Sequence, residues 1–193
     1  MLSNQPLSFK QQCKLVLIIL AVFSIIELLN MLSGRWFNQF GLLPRDSSHL
    51  SGIAIAPLVH ANVWHFISNI VPLAIFSFLM LQYGHKRFLW VSLWIMVVSG
   101  ILVWLMGRTA LHVGASGLLY GYFGFLVLAG FVAREFKLIL LSVVVGVVYG
   151  GLIFGVFPNV RGYISWEYHL FGLLAGLVAA KLWGKGRQST GPL

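Results

Sequence analysis

Apolar residues run almost without a break through six stretches of the chain, at 15–32, 62–81, 88–106, 116–133, 138–157 and 165–183. Each is about the 20 residues a helix needs to cross a hydrocarbon core. The pattern predicts six membrane-spanning helices. The third and fifth stretches are almost purely apolar. The second, fourth and sixth carry His65 with Asn69, Ser116, and His169, so the even-numbered spans are expected to line the interior. The run after Lys10 and Lys14 has no small-residue cleavage site behind it and reads as a retained span rather than a signal peptide.

Composition agrees. Hydrophobic residues make up 59 % and charged residues 9 % of the 193 positions, whereas soluble domains carry about 25 % charge. The formal charge of +9, from 13 Lys and Arg against 4 Asp and Glu, then belongs to loops beside a lipid surface, and nucleic acid is not an expected partner. Lys10, Lys14, Lys86, Arg87, Arg134, Lys137, Lys181, Lys185 and Arg187 fall on one side, and Arg35, Arg45, Arg108 and Arg161 on the other. The basic side is expected to face the cytoplasm, with both termini. This divides the chain into a short cytoplasmic segment 1–13, a membrane domain 14–184 and a cytoplasmic tail 185–193, with no internal repeat and no separate soluble domain. The longest connection, 34–61, lies on the outer side and is expected to rest on the membrane interface through residues such as Trp36, Phe40 and Leu43. The single cysteine, Cys13, excludes an intramolecular disulfide, and no Cys and His cluster has zinc-ligand spacing; neither a metal nor another cofactor is expected.

Ionisable and polar groups inside a bilayer cost a few kcal/mol each, so they need a partner, a wet cavity or a function. His65 and Asn69, four residues apart, share one face of the second span. Ser116 starts the fourth, and His169 lies near the start of the sixth. These spans run in the same direction, so all four groups are expected at similar depth near the outer surface. Gly114, Ala115, Ser116 and Gly117 form a G-x-S-G element, whose glycines permit a tight loop-to-helix turn that presents the serine. His169 is placed to take the Ser116 proton, Tyr120 to stack on the His169 ring, and His65 and Asn69, with the Ser116 backbone N–H, to stabilise an oxyanion. Glu167 points elsewhere, so the set is a dyad rather than a triad. Each part also has a plainer reading: the glycines as a helix-packing motif, and the histidines and Asn69 as hydrogen-bonded links between helices. Glu27 reads as a hydrogen-bonded interior or interfacial carboxyl rather than a proton relay, and His85 and His112 as loop residues.

Taken in order, His60, His65 and Asn69 (H-x4-H-x3-N), Gly114 to Gly117 followed by Tyr120, and His169 followed by Gly172 and Gly176 resemble the rhomboid intramembrane serine proteases, in their six-helix bacterial form. The resemblance implies an all-α, polytopic six-transmembrane-helix rhomboid bundle. It implies Ser116 as nucleophile, His169 as general base and later acid, and His65 and Asn69 as oxyanion groups. Tyr120 would support His169, His60 would organise the outer end of the second span, and Gly172 and Gly176 would let the sixth span approach the fourth. The implied substrates are membrane proteins, cut in or near a transmembrane segment, at a site open to the periplasmic side of a bacterial inner membrane. One departure stands out. Where many members carry a Trp-Arg pair in the first outer loop, this chain has Ser51 and Gly52. A non-catalytic rhomboid-like protein that binds client helices, and a transporter built on Glu27 and the histidines, are the alternatives; oligomeric state is not legible.

Overall fold

A computed structural model describes residues 7–158 and 165–185; Arg161, Arg187 and most of the expected tail lie outside these. Among the described residues the regular elements are helical: α1 (Phe9–Leu32), the short α2 (Gly52–Ile55), α3 (Val63–Met80), α4 (His85–Met106), α5 (Ser116–Ala133), α6 (Phe136–Tyr149) and α7 (Trp166–Trp183). Five of them, α3 and α6 counted with the 3-10 turns that continue them, are long and apolar enough to cross a bilayer. With α7 they form a helical, polytopic membrane bundle, and side chains such as Leu17, Trp90 and Val147 point outward as a lipid-facing surface.

Local chemistry sets the helix ends. Ser8 and Gln11 form a reciprocal capping box at the start of α1, which satisfies two otherwise orphaned donors. That cap, followed by the good helix formers Lys10, Gln11 and Gln12, carries α1 back to Phe9, six residues before the apolar run begins. Asn62 caps α3 by accepting from the His65 N–H at 2.8 Å, and Ser165 caps α7 by accepting from the Tyr168 N–H at 3.3 Å. The fifth predicted span is only partly α-helical. At Gly150 and Gly151 it tightens into a 3-10 turn, Gly150–Val156, as expected where two poor helix formers adjoin.

The centre of the bundle is α5. Two thirds of it is buried, against a third or less of α1, α3, α4 and α6. It packs most closely on α7. A Cβ at Gly172 would collide with the Gly117 carbonyl oxygen, and one at Gly176 with the Gly121 carbonyl oxygen. Main chain therefore lies on main chain, the small-residue contact that membrane helices use where burial of apolar surface gives no driving force. The expectation that every even-numbered span lines the interior holds for α5 and α7 but not for α3. That helix buries one face, including Asn69, Leu73 and Phe76, and exposes Trp64, Ile67 and Val71. Apart from the buried Ser77, its polar residues cluster near one end, and the rest of the helix is apolar.

The long connection between α1 and α3 is folded. Its Leu42 pairs with His112 in a single antiparallel bridge. Arg45 donates to the carbonyl of Gly107 at 2.7 Å and to Thr109 Oγ1 at 2.8 Å, and Trp104 Nε1 donates to the Asp46 carbonyl at 3.0 Å. At the place of the absent Trp-Arg pair, Gly52 lies against the main chain of Gly41 and Leu42, where a Cβ would come within 2.6 Å. The loop is thus fastened by another set of contacts.

Glycine substitution separates packing from propensity. Gly176→Ala is expected to destabilise the protein by about 1–3 kcal/mol through overpacking. Gly146→Ala, at a position with nothing within 4 Å of the added methyl, is expected to be neutral or to stabilise by up to about 1 kcal/mol. Thermal unfolding of the two variants in detergent measures the difference.

Candidate active site

The first turns of α3, α5 and α7 meet at one end of the bundle. Gly114 enters α5 with φ +113°, a conformation open chiefly to glycine, and its N–H donates to the Ala56 carbonyl at 2.8 Å. The His65 ring lies directly on it: a Cβ at Gly114 would stand 2.5 Å from His65 Cε1 and 2.6 Å from Nε2. Glycine is therefore required here for both backbone and space. Ser116, the first residue of α5, is buried, and its N–H belongs to the helical turn whose donors have no partner within the helix.

His169 sits one turn before Gly172 on α7. Its ring stacks on Tyr120, with centroids 4.0 Å apart and planes 5° from parallel. Its Nδ1 is 2.9 Å from the Gly155 carbonyl oxygen. A carbonyl only accepts, so Nδ1 carries the hydrogen and a neutral ring keeps its lone pair on Nε2. Among the described residues no hydrogen bond joins Ser116 Oγ to His169. The two are held in neighbouring layers by Gly172 against the Gly117 carbonyl and by Tyr120, one turn after Ser116. Gly117 faces the Tyr168 ring, where a Cβ would be 2.5 Å from Cδ1.

The remaining groups differ in readiness. His65 Nδ1 accepts from the Ala61 N–H at 3.4 Å, which leaves Nε2–H as a donor on the side facing Gly114. The Asn69 amide is turned to its own helix, donating to the His65 carbonyl at 2.7 Å and to Ser68 Oγ at 3.4 Å, while its Oδ1 is buried without a partner. His60 is fully buried. Its Nε2 accepts from the Ala115 N–H at 3.4 Å, and its ring meets that of His65 edge-on at 5.2 Å. Burial, aided by the neighbouring His65 and the Arg35 guanidinium, holds the His60 pKa down at about 3, so the ring is neutral at ordinary pH.

Glu167 is turned away from His169. Its Oε1 lies 3.3 Å from Arg108 Nε and accepts the Arg108 backbone N–H at 3.3 Å. Glu27 pairs with Arg35 and is an interior carboxyl. His112 is a loop residue, yet it is buried. Its Nδ1 is 2.6 Å from Ser165 Oγ and its Nε2 3.2 Å from the Arg108 carbonyl, so it ties the loop before α5 to the cap of α7. Its pKa is lowered by burial. The sequence reading missed this tie, and also the Gly155 carbonyl. The run of glycines at 150, 151 and 155 was the one available signal for the latter, since it marks where a helix loosens and its carbonyls come free. Among the described residues no group of three or more His, Cys, Asp or Glu is placed to hold a metal ion.

Fold and contacts together define a multi-pass helical membrane protein that gathers its buried histidines and Ser116 at one end of the bundle. The Rhomboid domain matches residues 47–186. A protein of Mycobacterium tuberculosis is 37% identical over 175 residues, which span 86% of this chain and 73% of that relative. One of Mycobacterium leprae is 33% identical over 184 residues, spanning 91% and 72%; both are described as uncharacterized. The chain belongs to the rhomboid family, whose members are generally intramembrane serine proteases.

Acid is expected to loosen this end of the molecule. With the His60 pKa at about 3 in the folded chain against 6.5 for a free histidine, the unfolded chain binds more protons between those values, so stability falls as the pH is lowered through that window. A change from about pH 7 to about pH 5 should cost on the order of 2 kcal/mol from this ring alone. The thermal midpoint in detergent measures it, and His60→Gln should flatten the pH dependence.

Proposed function

We propose that the protein is an intramembrane serine endopeptidase that hydrolyses peptide bonds in or near transmembrane segments of other membrane proteins. The observation that carries this reading is the His169 ring, stacked on Tyr120 and tied through Nδ1 to the Gly155 carbonyl, on a helix pressed by glycines against the one that begins with Ser116. In this reading Nε2 of His169 takes the proton of Ser116 Oγ as the oxygen attacks the scissile carbonyl. The oxyanion is met by the Ser116 N–H and by His65 Nε2–H. Collapse expels the amine, which receives the proton from His169, and water then attacks the acyl-serine with His169 again as base. Asn69 joins the oxyanion site only if its amide turns from the His65 carbonyl, so its share is the smaller one. Gly114 and Gly117 shape the turn, and His60 supports it.

The basic loops support an orientation with both termini in the cytoplasm and the site end outside, in a bacterial inner membrane, with 1–13 and 185–193 flanking a membrane domain of 14–184. The Leu42 and His112 bridge and the contacts of Arg45 then hold the outer loop over the site. Water enters from that side, and the substrate helix must unwind to expose its bond.

Ser116→Ala is expected to abolish both fluorophosphonate labelling and cleavage of a model transmembrane substrate in proteoliposomes, with the fold intact. His169→Ala should be nearly as severe. Asn69→Ala should cost about 10- to 100-fold, at or below the usual loss for one oxyanion donor. Labelling that persists in Ser116→Ala overturns the dyad. A wild-type protein that binds client helices without labelling is instead the non-catalytic rhomboid-like protein.

A further inference from the structure

Glu27 lies in α1, outside the part of the chain that matches the Rhomboid domain, and is buried. One carboxylate oxygen pairs with Arg35. The other, Oε2, has no hydrogen-bond partner and stands 3.6 Å from His60 Nδ1, itself buried without a partner. The opposite nitrogen of that ring, Nε2, accepts from the Ala115 N–H. A nitrogen that accepts bears no hydrogen, so in the neutral ring the hydrogen sits on Nδ1, the nitrogen 3.6 Å from the carboxylate. The surroundings hold the main chain of His60 in place. Its own carbonyl accepts from Arg35 Nη1 at 3.0 Å, Asn38 Nδ2 at 3.2 Å and Asn30 Nδ2 at 3.4 Å. Arg35 is itself pinned in the left-handed region at φ 70° by an N–H bond of 2.7 Å to the Asn30 carbonyl.

We propose that Glu27 is a positioning residue that orients His60 and, through its Nε2, fixes the main chain of Ala115 and the turn presenting Ser116. This rests on the hydrolase reading above. An acid-to-imidazole pair normally orients the base of a serine hydrolase; here it orients a ring that grips the backbone beside the nucleophile. Arg35 cancels the carboxylate charge, which lets the ring stay neutral and keep Nε2 as an acceptor. A buried ion pair is a poor source of stability, and apolar residues in its place are often neutral or stabilising. A purely structural pair is therefore dispensable, whereas a positioning pair is not.

The test uses the full-length protein in detergent micelles. With 15N-labelled histidine, and His60 assigned by comparison with His60→Asn, the wild-type ring is expected to be neutral with its hydrogen on Nδ1. Glu27→Met combined with Arg35→Met removes both charges. It is expected to stay folded, lose that single tautomer, and lower the rate of Ser116 labelling by a fluorophosphonate about 10- to 100-fold. Glu27→Gln, which keeps an acceptor for Nδ1–H, should recover most of the rate. A wild-type ring with its hydrogen on Nε2, or a folded double variant labelled at the wild-type rate, overturns the proposal. The tautomer is read on the wild-type protein, so the proposal stays open to refutation even if the double variant does not fold. No Ser116 labelling in the wild type overturns the hydrolase reading instead, and the tautomer, which needs no turnover, still decides whether Glu27 orients His60.

Discussion

The contact between α5 and α7, backbone against backbone, is what the rest of the site depends on. Gly172 and Gly176 bring α7 onto the carbonyls of Gly117 and Gly121, and that contact sets His169 against Tyr120. Tyr120 reaches the His169 ring only because the helices are this close, and Tyr168 can then fill the space against Gly117. A methyl group at either position would push the axes apart, and the first polar group to lose its setting would be His169. In a lipid environment no burial of apolar surface would restore the approach, because lipid tails solvate a separated helix as well as a neighbour does.

A second constraint is the cost of charge away from water. Two carboxylates are buried near the site, Glu27 and Glu167, and each is matched by an arginine, Arg35 and Arg108. Neither touches His169. The groups around Ser116 are neutral or belong to the main chain: helix N–H groups, imidazole rings, an amide, a tyrosine and the Gly155 carbonyl. Charge is placed one layer back, where it fastens loops and α1 to the bundle, and the space around the serine contains dipoles whose directions are set by packing. That division suits chemistry in which a negative charge develops only briefly, since fixed dipoles need no reorganisation when it appears.

Much of this was legible in the chain itself. Apolar length marks the spans, the four-residue spacing of His65 and Asn69 puts them on one face, and common helix direction brings Ser116 and His169 to one end. The depth of α3 in the bundle was not legible, because polarity near one terminus says nothing about what packs along the remaining turns. Nor was the direction of the Asn69 amide, which depends on a competition with the His65 carbonyl that spacing does not reveal. His112 looked like any loop histidine; its burial arises from Leu42, 70 positions earlier, pairing with it across the fold. Glu27 could be recognised as unusual, but its partners Arg35 and His60 are brought to it only by the folded connection between α1 and α3.

The acceptor for His169 Nδ1 is a peptide oxygen at Gly155, in the 3-10 turn that continues a largely lipid-exposed helix. No replacement of a side chain can delete that oxygen. A scan that truncates residues one by one would therefore score the position by bulk alone and pass over its electrostatic part. Where many serine hydrolases orient the histidine with a carboxylate that mutation can remove, the partner of His169 Nδ1 here belongs to the polymer itself.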